Sequence, residues 1–337
     1  MRVVVVGAGV VGLSCAVRLA EAGHDTHVLA RDLPLETTSA VAAAMWYPYL
    51  AQPRDAVTGW AARTFEVLEG LSRTHPQSGV RMRTGTELLT TDRPADPWWR
   101  DAVPSLQTVT RPRDGYGSGW RMTVPVADMA TYLSFLVDRL AAAGGTLTRA
   151  WLADLPSSGY VVNATGLASR ALAGDDSLTP VRGQVVRVAQ VGLDEWLLDD
   201  SDPARPLYVV PRERDVVVGG TADRGSWDRT PDPATARQVL ARATALVPEL
   251  AGARVVGHRV GLRPARPTVR LEAVPHDDGG PGGVVHCYGH GGAGVTLSWG
   301  CADDVLQAVE DLAGYRGSAA PATGFSSSSA TGPSPAR

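Results

Sequence analysis

Scarcities in this chain exclude several classes of protein before any motif is read. Sulfur is rare: among 337 residues there are three cysteines, Cys15, Cys287 and Cys301, an odd trio with no paired spacing. That excludes a disulfide scaffold and points to a reducing compartment, with the cytoplasm expected. Net charge is small, −3, which leaves no footprint for nucleic acid or an anionic membrane surface. No apolar run is long enough to span a bilayer. The run Val3 to Leu13 has neither the basic flank nor the cleavage site of a signal peptide. No Ser/His/Asp arrangement and no pair of carboxylates stands out. His286 and His290 flank Cys287 but offer no convincing ligand set, so no metal is expected.

Glycine is abundant and placed. The run Arg2-Val3-Val4-Val5-Val6 feeds Gly7-Ala8-Gly9-Val10-Val11-Gly12, and Leu13 to Ala22 then reads as a helix. This is a G-x-G-x-x-G turn between strand and helix. Gly7 permits the tight turn, Gly9 lets a pyrophosphate approach the backbone, and Gly12 lets helix and strand pack closely. Asp25 to Ala30 reads as the next strand, and Arg31-Asp32 follows where such folds place an acid for a ribose hydroxyl. Thr37-Thr38-Ser39 followed by small residues suits a helix N-terminus against something flat or anionic.

Further on, Ala56 to Ser72 reads as an amphipathic helix, Val80 to Thr91 as extended, and Trp98 to Gly119 as loop. Asp128 caps a helix through Leu140, and Tyr160 to Asn163 is a buried strand ending in a small-residue turn. Val185 to Val188, Leu207 to Val210 and Asp215 to Gly220 suit an antiparallel sheet. Near the far end, Val284 to Tyr288 leads into a second glycine-rich turn, Gly289 to Gly294, and a helix to about Leu312. A nicotinamide domain needs one such turn; a flavin held across two units can use both, with the second helix aimed at its ring. The expected fold class is therefore α/β, a Rossmann-like dinucleotide unit interleaved with an α+β unit on a mostly antiparallel sheet. Beyond Gly317 the chain is Ser, Ala, Pro and Gly and is expected to be disordered.

The C-terminal motif Val284-Val285-His286-Cys287-Tyr288-Gly289-His290-Gly291-Gly292-Ala293-Gly294, continuing to Gly300-Cys301-Ala302, resembles the D-amino-acid oxidase family. That family lies within the glycine oxidase and sarcosine oxidase-like flavoproteins. Gly7 to Gly12, Val41 to Trp46, Gly261-Leu262-Arg263-Pro264 and Thr268 to Glu272 agree with it. The resemblance implies an FAD-binding unit from residues 1–50, 126–178 and 280–315, a substrate unit from 51–125 and 179–279, and a tail at 316–337. It implies oxidation of a D-amino acid by hydride transfer to flavin N5, with oxygen reduced to hydrogen peroxide and the imino acid hydrolysed to a 2-oxo acid and ammonia. A homodimer is compatible with the sequence, which does not fix the subunit number.

The same resemblance places the substrate carboxylate on Arg270, with Arg259, Arg263 and Arg266 as competitors by residue type alone. It places the active-site tyrosine on Tyr208 and the amino-group contact on Gly292. Cofactor contacts fall on Gly7, Ala8, Gly9, Val10, Val11, Gly12, Arg31, Asp32, Thr37, Thr38, Ala43, Ala44, Met45, Val162, Gly291, Gly292, Gly294, Val295 and Thr296. Met45, Tyr47 and Val210 would line an apolar side-chain pocket suited to neutral, bulky D-amino acids. An acidic substrate would need a second cation, with Arg205 or Arg212 the candidates. Ala204 stands where some members carry a lid tyrosine, which argues against a mobile lid here. Glycine, sarcosine or D-aspartate oxidation on the same fold is the alternative.

Overall fold

The computed structural model describes residues 1–277 and 280–314; the tail expected at 316–337 falls outside the described residues. Strand β1 (Arg2–Val6) delivers the chain into helix α1 (Val10–Glu21) and back through β2 (Asp25–Ala30), which pairs parallel with β1. The turn depends on missing side chains. Gly7 has φ +114°, and a Cβ there would lie 2.4 Å from the Ala164 carbonyl oxygen; one on Gly12 would lie 2.1 Å from the oxygen of Gly7. Only glycine lets the helix start so close to the strand. Leu13, Ala16, Val17 and Leu19 of α1 are buried in the core.

The Thr37–Ser39 stretch forms a short 3-10 turn, Thr38–Val41, rather than the N-terminus of an α-helix. Helix α2 (Arg54–Thr74) follows, then β3 (Val80–Leu89), β4 (Gln107–Thr110) and β5 (Ser118–Ala127). Strand β4 lies inside the stretch expected to be loop. Helix α3 (Met129–Ala142) is capped by Asp128, whose carboxylate accepts from the Ala130 and Thr131 amides. Strands β6 (Thr146–Arg149) and β7 (Gly159–Asn163) and the single turn α4 (Ser169–Leu172) complete this part.

A run of strands comes next: β8 (Thr179–Ala189), β9 (Trp196–Asp199), β10 (Leu207–Pro211), β11 (Asp215–Gly219) and the two-residue β12 (Asp223–Arg224). Helix α5 (Pro233–Leu246), capped by Asp232, leads to β13 (Val255–Pro275), β14 (Gly282–His290) and α6 (Gly294–Leu312).

One sheet contains all the strands, in the order β4-β5-β3-β9-β10-β11-β8-β13-β14-β7-β1-β2-β6, with β12 beside β8. The β14-β7-β1-β2-β6 end is parallel, as a dinucleotide unit requires. The other end is antiparallel except for β3 and β9, which run parallel, so that half is mixed. The long β13 joins the two: it pairs with β8 as far as Ala265 and with β14 from there on, with a bulge between Ala265 and Arg270. Helix α6 packs against both α1 and α2. Among the described residues no helix is long and apolar enough to cross a membrane.

Candidate active site

A cavity of about 700 Å³ opens where the parallel and antiparallel ends of the sheet meet. Both glycine-rich turns border it, through Gly7 to Val11 on one side and Gly291, Gly292, Gly294, Val295 and Thr296 on the other. Neither N-cap residue, Gly9 of α1 or Ala293 of α6, makes a side-chain hydrogen bond, though the Val10 amide of α1 donates to Ser39 Oγ (3.0 Å), and the starts of both helices border this space. Two positive helix ends facing a long apolar cleft suit a ligand with a pyrophosphate and a flat ring.

Most of the expected residues meet here. Arg31, Asp32, Thr37, Thr38, Ala43, Ala44, Met45, Tyr47, Tyr208 and Val210 all line the cavity. Arg31 and Asp32 bind each other through two hydrogen bonds of 3.0 and 2.7 Å, which lowers the Asp32 carboxyl. Gly12 does not reach the wall, because its part is the close helix–strand packing described above. Val162 is fully buried within β7, flanked by β1 and β14, and also stands behind the wall. Arg205 is exposed and paired with Asp202, and Arg212 is buried and paired with Asp215; neither lines the cavity.

The expectation for Arg270 is not met. Its Nε donates to Glu272 Oε1 (2.7 Å) and its Nη1 to the Tyr288 hydroxyl (2.7 Å), and it contributes nothing to the cavity wall. Arg270 stands farther along β13, past an irregularity in which five residues of that strand pass two of β14 between Ala265, opposite His290, and Arg270, opposite Tyr288. Its guanidinium is held there by Tyr288 and Glu272. Arg266 is likewise occupied, donating to Asp175 (2.8 Å).

Of the four candidate arginines the one that lines the cavity is Arg263, before the bulge, where β13 still pairs with β8. Its guanidinium lies over Gly183, where a Cβ would stand 2.5 Å from Nη1, and Nη1 donates to the Thr221 carbonyl (2.9 Å). Among the described residues it has no carboxylate partner within ion-pair distance, unlike Arg266 and Arg270. The sequence signal was present in Gly261-Leu262-Arg263-Pro264, but not the register that selects one arginine from four.

Two tyrosines complete this end. Tyr208 lies against the backbone of Gly219 and Gly220; a Cβ on Gly219 would meet its ring at 2.2 Å. Tyr49, unforeseen in the sequence, packs on Gly292, where a Cβ would lie 2.8 Å from its ring, and burial raises its hydroxyl pKa. Trp151, Trp227 and Arg229 also line the cavity and were missed, since they come from loops with no motif.

Cys287, His290 and Cys301 bring their ligand atoms within 4.8 Å of one another in the core. Burial lowers His290 to about 4. Burial raises the Cys301 thiol, and the cysteines' own contacts together with burial raise Cys15 and Cys287. All three side chains are buried.

Residues 2–308 match the family described as FAD dependent oxidoreductase. The chain belongs to this family. It is 51% identical over 309 residues to a D-amino-acid oxidase of Rubrobacter xylanophilus, covering 90% of this chain and 94% of that protein. It is 43% identical over 309 residues to a D-amino-acid oxidase of Streptomyces coelicolor, covering 91% and 96%. The fold is that of a glycine oxidase from Geobacillus kaustophilus, with a TM-score of 0.78 at 22% identity over 92% of this chain and 95% of that one. Its cofactor is FAD, and the protein is an oxidoreductase. The cradle fits that group: two helix N-termini bordering the cavity, glycines where a Cβ would collide, and one long cleft joining them.

Proposed function

We propose that the chain is a D-amino-acid oxidase, taking neutral and bulky D-amino acids to 2-oxo acids, ammonia and hydrogen peroxide. The observation that carries this is Arg263, a cavity guanidinium with no acidic partner, beside Tyr208, Tyr49 and Gly292. A carboxylate needs a planar, permanently charged fork, and of the four candidate arginines Arg263 is the one that lines the cavity. The high identity to two proteins named for the activity supports the same reading.

Bound FAD supplies the hydride acceptor and passes the electrons on to oxygen. The protein's own part is orientation. Arg263 holds the substrate carboxylate, with the Tyr208 hydroxyl adding one hydrogen bond. The Gly292 carbonyl steers the amine, so that its lone pair can assist as the imine forms; no side chain need remove the Cα proton. Gly294, Val295 and Thr296 at the start of α6 line the cavity, and their amides would stabilise negative charge on bound FAD. Met45 and Val210 keep the side-chain end apolar, and Arg205 and Arg212, being paired elsewhere, do not line the cavity as a cation for an acidic substrate. The FAD-binding unit (1–50, 126–178, 280–315) and the substrate unit (51–125, 179–279) would each supply one wall. The three unpaired cysteines suit the cytoplasm.

An anaerobic absorbance titration tests this. D-Alanine should bleach the flavin, with glycine and D-aspartate much weaker. Bleaching by glycine in preference to D-alanine would indicate a glycine-type oxidase instead, and no bleaching by any of the three would contradict the proposal.

A further inference from the structure

Two tryptophans depart from the pattern of the others. Trp46, Trp60, Trp196 and Trp299 each donate the indole N–H to a fixed partner. Among the described residues neither the Trp151 nor the Trp227 indole has a hydrogen-bond partner, and the two residues are 73% and 56% exposed. Both line the cavity all the same. A large apolar ring left open at the mouth of a cavity marks a surface that a flat ligand can cover.

Their places in the fold identify the end of the cavity they border. Strand β6 pairs with β2 as far as Arg149, opposite Ala30, and the Ala150 amide donates to the Ala30 carbonyl (2.9 Å). Trp151 therefore follows directly beside the end of β2, where Arg31 and Asp32 stand and where dinucleotide folds hold the adenosine ribose. Trp227 comes from the other half of the sheet, on a segment pinned to β8. Arg182 donates to the carbonyls of Asp228 (3.1 Å) and Thr230 (2.7 Å), and the Gln184 side chain exchanges hydrogen bonds of 2.8 and 2.7 Å with the Asp232 backbone. Two residues beyond Trp227, Arg229 lines the cavity too. The Asp32 carboxyl is lowered first by its bond with Arg31 and further by the charges of Arg31, Arg229 and Arg149, so this segment reaches across to the end of β2. Both indoles belong to the Asp32 end.

We propose that Trp151 and Trp227 form a clamp for the adenine of FAD, with one indole supplied from each half of the sheet. The rest of this end gives a purine little to hold. Ala30, Ala150 and Ala153 are small, and Arg31 and Asp32 are engaged with each other. A purine is held best by flat apolar faces, and indole offers the largest such face of any side chain. Both rings sit on backbone that is already fixed, so little ordering is needed when the cofactor arrives. The glycine-rich turns then take the pyrophosphate, and the two rings take the far end of the molecule.

The test uses the full-length, FAD-loaded protein and its Trp151→Ala, Trp227→Ala, Trp151→Phe and Trp227→Phe variants. Release of FAD on dilution is read from flavin fluorescence. ADP, which carries the adenosine end without the flavin, competes with FAD for rebinding to the stripped chain. Each alanine variant should release FAD about tenfold faster and bind ADP about tenfold more weakly, as expected when a base loses an aromatic stack. Each phenylalanine variant, which keeps a flat ring, should recover part of both. Stripped of FAD, parent and variants should melt together, because the rings are mostly exposed. Release at the parent's rate in either alanine variant would overturn the clamp. So would faster release with ADP affinity unchanged, or a stripped alanine variant that melts far below the parent, since the rings would then act on the fold. If the stripped chain does not hold its fold, the release rates and their rescue by phenylalanine decide alone.

Discussion

Tyr47 and Thr296 exchange two hydrogen bonds: the Tyr47 amide donates to Thr296 Oγ1 (3.0 Å), and that hydroxyl donates to the Tyr47 carbonyl (2.9 Å). One buried side chain thus locks the N-terminal loop that lines the cavity onto the first turn of α6. Thr296→Val keeps the shape and removes both bonds, leaving two backbone groups unsatisfied at a cost of about 1–3 kcal/mol each. A lower Tm and weaker FAD binding by absorbance titration should follow; an unchanged Tm would show that water replaces the hydroxyl.

Gly12→Ala should abolish FAD binding or folding. Its Cβ would sit 2.1 Å from the Gly7 carbonyl oxygen, and both atoms belong to backbone that cannot step aside. The outcome is read as loss of yellow colour in soluble protein, or as insolubility. A yellow, stable variant would mean that α1 can shift away from β1.

Tyr208→Phe should weaken substrate binding by at most about 1.5–3 kcal/mol, the worth of one hydrogen bond to a charged group, and leave the rate of flavin reduction at saturation nearly intact. A fall of several orders of magnitude in that rate would instead give the hydroxyl a part in proton transfer.

Acid should destabilise the fold between about pH 6.5 and 4. His286 and His290 are both buried and lowered to about 4, chiefly by burial. A histidine whose folded pKa is depressed favours folding above its unfolded value, and that contribution is lost as pH falls, on the order of 3 kcal/mol for each. Glu87, raised to about 8, acts in the opposite sense: its contribution is lost as pH rises from about 4.5 to 8 and is regained on acidification. Tm measured across this range should decline toward pH 4, and more steeply in Glu87→Gln than in the parent. A flat profile in both would show that the histidines are hydrated in solution.

The parts legible in the sequence were those fixed by local sterics. Gly7 to Gly12 and Gly289 to Gly294 announce themselves through glycines placed where side chains would collide or φ is positive, and Asp128 caps its helix through bonds made within three residues. What stayed hidden depends on pairing between distant strands. Arg263 and Arg270 look alike in one dimension, and only the folded chain shows that Arg263 lines the cavity while Arg270 is held by Tyr288 and Glu272. The single sheet was hidden for the same reason, since β13 reads as extended but its change of partner from β8 to β14 leaves no mark in composition.

The measurement that bears most directly on the account is the pair Arg263→Ala and Arg270→Ala, assayed for kcat/KM with D-alanine and for flavin content. Loss of Arg263 should leave the substrate carboxylate without its partner, a cost of about 2–5 kcal/mol and thus a roughly 30- to 5,000-fold fall in kcat/KM, with FAD still bound. Arg263→Lys should recover part of this, because an ammonium keeps the charge and loses the fork. Arg270→Ala should act mainly on Tm, by releasing Tyr288 and Glu272. If Arg270→Ala proves crippled and Arg263→Ala near normal, each holding FAD, the placement of the substrate in this cavity is wrong.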